Sequence, residues 1–125
     1  MSKKILVIED FQRVREVLEI FLVKAGYTVF TAESGKDGID IARSEKPELM
    51  LIDVRLQDSD GLEVLRSIRN FDNSAKIFIL SGLYTEELEK ESLNSGATGF
   101  LSKSLGIEAI VKAVKENLGE PTKNA

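Results

Sequence analysis

The stretch Leu49-Met50-Leu51-Ile52-Asp53 decides how this chain folds. Four consecutive apolar residues suit a strand buried on both faces, as in a parallel sheet covered by helices. A carboxylate then stands where the strand runs out. In open α/β sheets, ligands bind in the crevice beyond the carboxyl ends of the strands, which puts Asp53 where such proteins do their chemistry. Working outward, two more apolar runs end in polar groups. Ile5-Leu6-Val7-Ile8 leads into Glu9-Asp10, and Ile77-Phe78-Ile79-Leu80 leads into Ser81.

The segments between these runs read as helices and shorter strands. The first strand is expected over Lys4 to Glu9. Val14, Val17, Leu18, Phe21, Leu22 and Ala25 follow at helical spacing as one apolar stripe, ended by Gly26. Tyr27 to Thr31 is β-rich. Ser34 is placed as the N-cap of a helix running through Ile39 and Ala42 to Lys46-Pro47. After Asp53, Asp58-Ser59-Asp60-Gly61 is turn chemistry, and Asp60 with Glu63 has the spacing of a capping box before Val64, Leu65 and Ile68. A fourth strand is expected over Ala75 to Ser81. A polar helix over Thr85 to Ser95, anchored by Leu88 and Leu93, is closed by Gly96. A short fifth strand over Ala97 to Leu101 precedes a last helix lined by Ile107, Ile110, Val111, Val114 and Leu118. Strands alternating with helices predict an α/β fold with a parallel sheet and right-handed crossovers. One domain over residues 1–119 is expected, with 120–125 as a frayed tail or the start of a linker.

Composition removes several chemistries. A chain of 125 residues can bury a full core without staples. It has no cysteine and no histidine, which excludes disulfides, thiolate nucleophiles, imidazole bases and the nitrogen and sulfur ligands that zinc prefers. Any phosphohistidine must come from a partner. A net charge of −4 gives no basic footprint for nucleic acid and argues against an anionic membrane surface. No apolar run approaches the roughly 20 residues of a membrane span. Met1-Ser2-Lys3-Lys4 leads directly into a strand without a signal-peptide apolar region, so a cytoplasmic protein is expected.

Taken singly, each polar strand end has an ordinary explanation. Glu9 and Asp10 could be solvated loop acids or helix caps, Ser81-Gly82 a turn, Lys103 a surface lysine and Phe100 a core residue. Their common position just beyond predicted strands is what sets them apart. Three carboxylates at one rim resist ionising together unless a cation sits among them, and a hard ion with oxygen ligands, Mg²⁺ above all, suits that donor set.

The chain as a whole resembles the response-regulator receiver domain of two-component signalling. The residues carrying the resemblance are Ile8-Glu9-Asp10, Asp53 with Gly61 eight residues on, Ser81-Gly82, and Gly96-Ala97-Thr98-Gly99-Phe100-Leu101-Ser102-Lys103. The Gly-Phe-Leu-Ser-Lys-Ser run resembles receivers of the nitrate-response type, which carry helix-turn-helix output domains. The resemblance implies a doubly wound, flavodoxin-like sheet with strand order 2-1-3-4-5. It implies that Asp53 accepts a phosphoryl group from a histidine kinase or histidine phosphotransfer protein. Mg²⁺ is then held by Asp10 and Asp53, by Glu9 through water, and by the main-chain carbonyl of Arg55. Lys103 and Ser81 contact phosphoryl oxygens, and the Phe100 rotamer reports the modification on the face of the fourth helix, fifth strand and fifth helix. The implied protein is a signalling domain rather than an enzyme. It works with a downstream output protein or domain, as a monomer or a phosphorylation-dependent dimer. With no output domain in these 125 residues, the signal either passes by docking or the receiver belongs to a longer regulator.

The chain departs from the family pattern at Gln57 and Ser104, where proline is common, and the resemblance implies that Arg55 and Leu83 are variable neighbours expected to tune water access to the acyl phosphate. Without proline a cis bond after Lys103 costs about 2.5–4 kcal/mol, so a trans bond is expected, with Gly106 absorbing the change. Two other classes compete with the switch. An aspartate-nucleophile phosphatase shares the fold class, Asp and Mg²⁺, but it resembles Asp-x-Asp after the first strand, whereas Glu9 and Asp10 are adjacent. A pseudo-receiver that docks without phosphorylation does not need the intact site residues present here.

Overall fold

The computed structural model describes residues 2–119, so the expected tail over residues 120–125 lies outside the described residues. Among the described residues five strands alternate with five α-helices: β1 (Lys4–Ile8), α1 (Gln12–Lys24), β2 (Thr28–Ala32), α2 (Gly35–Glu45), β3 (Leu49–Asp53), α3 (Gly61–Arg69), β4 (Lys76–Ser81), α4 (Glu86–Asn94), β5 (Gly99–Ser102) and α5 (Ile107–Leu118). A single 3₁₀ turn, Lys103–Leu105, joins β5 to α5. The sheet is parallel, in the order β2-β1-β3-β4-β5. This is the doubly wound order, and it makes β3 the central strand.

Every residue of β3 is buried, as the unbroken apolar run requires. Strand alternation divides its side chains between two cores. Met50 and Ile52 join Leu6, Ile8, Ile77 and Ile79 beneath α2 and α3, which contribute Ala42, Leu62, Leu65 and Ile68. Leu49 and Leu51 join Ile5, Val7, Phe78 and Leu80 beneath α1 and α5, which contribute Leu18, Leu22, Ile110 and Val114. Both faces are covered, and all five strands point their carboxyl ends at one rim.

The local signals mostly behave as read. Ser34 Oγ accepts from Asp37 N at 3.1 Å and caps α2. Asp60 caps α3, but its Oδ1 accepts from Leu62 N at 2.8 Å instead of completing a box with Glu63. Three further expectations need correction. Phe21, placed in the core stripe of α1, is 43% exposed, because the helix turns Leu18 and Leu22 into the second core, with Val14 and Ala25 packed at its margin. Leu93, taken as an anchor of α4, is 47% exposed. The inner face of α4 carries Leu88 and, one turn on, fully buried Ser92, whose hydroxyl donates to Leu88 O at 2.8 Å. Leu93 is one residue further round the helix and turns outward. The fifth strand runs Gly99–Ser102 instead of Ala97 to Leu101, since Ala97 N and Gly96 N still bond back to the end of α4.

Candidate functional site

Glu9 and Asp10 follow β1 directly. Glu9 N still donates to Ala32 O at 3.0 Å, so the chain leaves the sheet only after Glu9, which is fully buried. Its Oε2 accepts from Phe11 N at 3.2 Å. Arg15, one turn into α1, donates from Nη1 to Glu9 O at 2.8 Å and Asp10 O at 3.3 Å, fixing the backbone of the acid pair. The sequence reading did not single out Arg15; its only signal was a cation within two turns of two adjacent acids.

Asp53 ends β3 and is 6% exposed. Val54 N donates to Leu80 O at 2.9 Å, which keeps the end of β3 registered against β4. The chain then makes a tight return, with Arg55 bridged to Asp60 and Gly61 N donating to Val54 O at 2.8 Å. Gly61 is obligatory here, since a Cβ would stand 2.2 Å from Asp53 O, a backbone atom that cannot yield. Asp58 ties the loop to α2, accepting from Gly35 N at 2.9 Å and Lys36 N at 3.2 Å. Those bonds from a helix N-terminus hold its carboxyl below the ordinary range despite some desolvation.

Lys103 enters from the end of β5 and lies between the two buried acids. Its Nζ is 3.1 Å from Asp53 Oδ2 and 2.8 Å from Glu9 Oε1. The contact to Asp53 is a hydrogen bond. The one to Glu9 is an ion pair out of line for a hydrogen bond, which leaves the buried Glu9 Oε1 without an aligned donor. Burial alone pulls the Lys103 ammonium down, but the two acids outweigh it and hold its pKa above the usual value. Glu9 is pushed up to about 7, first by burial and then by the Asp53 carboxylate, with Lys103 opposing. Asp53 Oδ1 accepts from Arg55 N at 3.2 Å.

Carboxylate oxygens of Glu9, Asp10 and Asp53 all lie within 4.8 Å of one another. Three acids facing one ammonium, two of them buried and one with an unaligned oxygen, suit a hard divalent cation. A cleft of about 420 Å³ opens over them, lined also by Arg55, Ser81 and Lys103. A larger cleft, about 720 Å³, lies at the opposite edge of the sheet among Lys3, Arg43, Lys46 and Lys76, away from all three acids.

Ser81 is 3% exposed, and its hydroxyl is occupied within its own loop, donating to Leu83 O at 2.7 Å and accepting from Leu83 N at 3.0 Å. Phe100 does not line the cleft. It is half-buried against the α3 side of the sheet and meets the Tyr84 ring edge-on at 5.7 Å. Beyond Lys103, all peptide bonds among the described residues are trans, as expected at Ser104, and Gly106 takes φ 89°. Ser104 is absorbed into the 3₁₀ turn, where Ser102 Oγ accepts from its backbone N at 3.2 Å.

The comparisons with known proteins agree with this geometry. Residues 5–115 match the family described as the response regulator receiver domain. The chain is 31% identical over 118 residues to sporulation initiation phosphotransferase F of Bacillus subtilis, covering 94% of this chain and 95% of that protein. Among solved structures, a CheY-like receiver domain protein from Methanospirillum hungatei superposes with a TM-score of 0.90 at 27% identity, covering 96% of each chain. The chemotaxis protein CheY4 of Vibrio cholerae superposes with a TM-score of 0.87 at 26% identity, covering 94% of this chain and all of that one.

Proposed function

We propose, from the premise that this chain belongs to the response regulator receiver domain family, that it is a phosphorylation-driven switch in which Asp53 is the phosphoacceptor. The observation that carries this reading is the single rim where Asp53, Glu9, Asp10 and Lys103 meet, with Ser81 on the same cleft.

Phosphoryl transfer depends mainly on positioning and on neutralising charge at the equatorial oxygens. An Asp53 carboxylate oxygen forms the new bond to phosphorus as the bond to the donor's imidazole nitrogen breaks, and the imidazole departs with its electron pair. The donor's histidine belongs to a partner kinase or phosphotransfer protein, since this chain has none. The relative from Bacillus subtilis, named a phosphotransferase, supports such a partner. Glu9, Asp10, Asp53 and the main-chain carbonyl of Arg55 would hold Mg²⁺, which supplies positive charge to both the carboxylate cluster and the phosphoryl oxygens. Lys103 offers the second positive charge, and Ser81 Oγ a hydrogen bond.

In the unmodified protein Lys103 compensates Glu9 and Asp53 directly. A phosphoryl group competes for that ammonium and for the Ser81 hydroxyl. Their reorientation is felt at Leu83 and Phe100, which places the docking surface on α4, β5 and α5. The domain is a signalling element of residues 1–119 that works with an output protein or domain.

The test is saturable binding of beryllofluoride, a phosphoryl mimic, in the presence of Mg²⁺. Binding that requires both Mg²⁺ and Asp53 is expected. No binding under any Mg²⁺ concentration would leave a docking module that is not phosphorylated.

A further inference from the structure

Tyr84 has no part in the chemistry above, yet it contacts both β5 and α4, two of the elements that form the switch surface. Its ring packs edge-on against Phe100 at 5.7 Å with the planes at 66°. Its hydroxyl donates to Glu89 Oε1 in the first turn of α4 at 2.9 Å. Its backbone N shares the peptide group of Leu83 O, the atom that accepts the Ser81 hydroxyl. Half of Tyr84 is exposed, so these contacts are made at the surface and break cheaply.

We propose that Tyr84 is a latch that positions Phe100 and the N-terminal end of α4 in the unmodified protein, and that phosphorylation releases it through Ser81. This rests on the phosphoacceptor reading of Asp53. The link is a matter of proton inventory. A serine hydroxyl has one hydrogen to donate. Here it goes to Leu83 O at 2.7 Å. Donation to a phosphoryl oxygen requires that same hydrogen, so the bond to Leu83 O must open. The peptide group it frees is the one that enters Tyr84. The loop then loses the tie that holds the ring against Phe100 and the hydroxyl against Glu89.

The far end of α4 is held differently, and this gives the motion a direction. Arg69 Nε donates to Gly96 O at 2.8 Å, while its Nη1 donates to Ala75 O at 2.7 Å and Asp72 O at 3.2 Å. Arg66 Nη1 donates to Ser95 Oγ at 2.9 Å. Two guanidinium groups from α3 thus pin the C-terminal end of α4. The N-terminal end has the Thr85 cap, Leu88 and the Tyr84 latch. Release therefore swings α4 from its N-terminal end about a pivot near Ser95 and Gly96.

The test uses the whole chain labelled with 3-fluorotyrosine. The sequence has two tyrosines, and Tyr27, 3% exposed and far from the rim, serves as the internal reference. Tyr84→Phe assigns the two resonances. With Mg²⁺ and beryllofluoride, bound fluoride signals report occupancy of the Asp53 site independently of the tyrosines. A displaced and sharpened Tyr84 resonance with an unmoved Tyr27 resonance is the expected result. Bound fluoride with an unmoved Tyr84 resonance overturns the latch while leaving Asp53 as acceptor. Displacement of both tyrosines overturns it as a local device. Absence of bound fluoride defeats the phosphoacceptor reading, and the latch falls with it. Because the latch favours the unmodified state, Tyr84→Ala should bind beryllofluoride about 3- to 10-fold more tightly, and Tyr84→Phe, which keeps the ring, by a smaller factor. Unchanged or weaker binding by Tyr84→Ala overturns the proposal.

Discussion

Replacing Asp53 with asparagine should stabilise the metal-free protein, although it removes an ion pair with Lys103. The magnitude follows from the distances. The acid oxygens lie within 4.8 Å of one another. At that separation and an effective dielectric constant of about 20, each repulsion by ionised Asp53 is worth about 3.5 kcal/mol, or about 7 kcal/mol for Glu9 and Asp10 together. The opposing attraction to Lys103 Nζ acts over 3.1 Å. It is worth about 5 kcal/mol on the same scale. The difference favours Asp53→Asn by on the order of 1–2 kcal/mol, and Lys103 keeps its pairing with Glu9 at 2.8 Å. Urea unfolding in EDTA at pH 8, followed by far-UV circular dichroism, should show this as a higher midpoint at unchanged slope. Adding Mg²⁺ should reverse the order, since the wild-type cluster gains more from the ion than the variant does. A metal-free variant that is less stable than wild type by 1 kcal/mol or more, on the order of the predicted gain, would refute the crowding argument. Lys103 attraction would then outweigh acid repulsion in this site.

Three further outcomes are expected. Glu9 titrates at about 7 in the metal-free fold against 4.5 ordinarily, because of burial first and Asp53 second. The folded state therefore holds a proton that the unfolded chain has released. Stability should fall as pH rises from about 4.5 to about 7, by on the order of 3 kcal/mol, which urea midpoints across that range in EDTA will measure. Gly61→Ala should cost about 2–3 kcal/mol in thermal unfolding, because its Cβ meets the backbone of Asp53. Gly82→Ala, with nothing near the added methyl, should cost about 0.5 kcal/mol or less. Asp58→Ala should cost about 1 kcal/mol through the lost cap on α2. Its depressed pKa means the wild-type benefit is present above about 4 and disappears as pH falls through the folded value, so the two proteins' unfolding midpoints should converge in acid.

The parts of the fold that were legible in sequence are those where a single pattern had no competitor. An unbroken apolar run ending in Asp53 admits little besides a central buried strand, and the apolar faces of α3 and α5 returned to the core as read. Phe21 and Leu93 were misplaced because helical spacing gives a stripe without its width. Which residue at the stripe's margin reaches the core depends on how the helix is rotated over the sheet, and tertiary packing sets that. The rim residues were legible because parallel strands carry their carboxyl ends to one side whatever the loops do. Asp58 and Tyr84 were not, since each makes a hydrogen bond or ring contact to an element distant in the chain; Arg15 was not, since a cation five or six residues after an acid pair is too common a spacing to mark a backbone clamp. Ser81 was found as a strand-end hydroxyl, but its engagement with Leu83, which determines what must break when it turns, is loop geometry that sequence does not encode in any short pattern.

Whether Asp53 takes the phosphoryl group can be read from intact mass and peptide mapping after incubation with a small phosphodonor and Mg²⁺. One phosphoryl adduct on the peptide containing Asp53, not formed when EDTA replaces Mg²⁺ during the incubation and absent from Asp53→Asn, is the expected result. An adduct that persists in Asp53→Asn, on Asp58, Asp60 or any other residue, would contradict it.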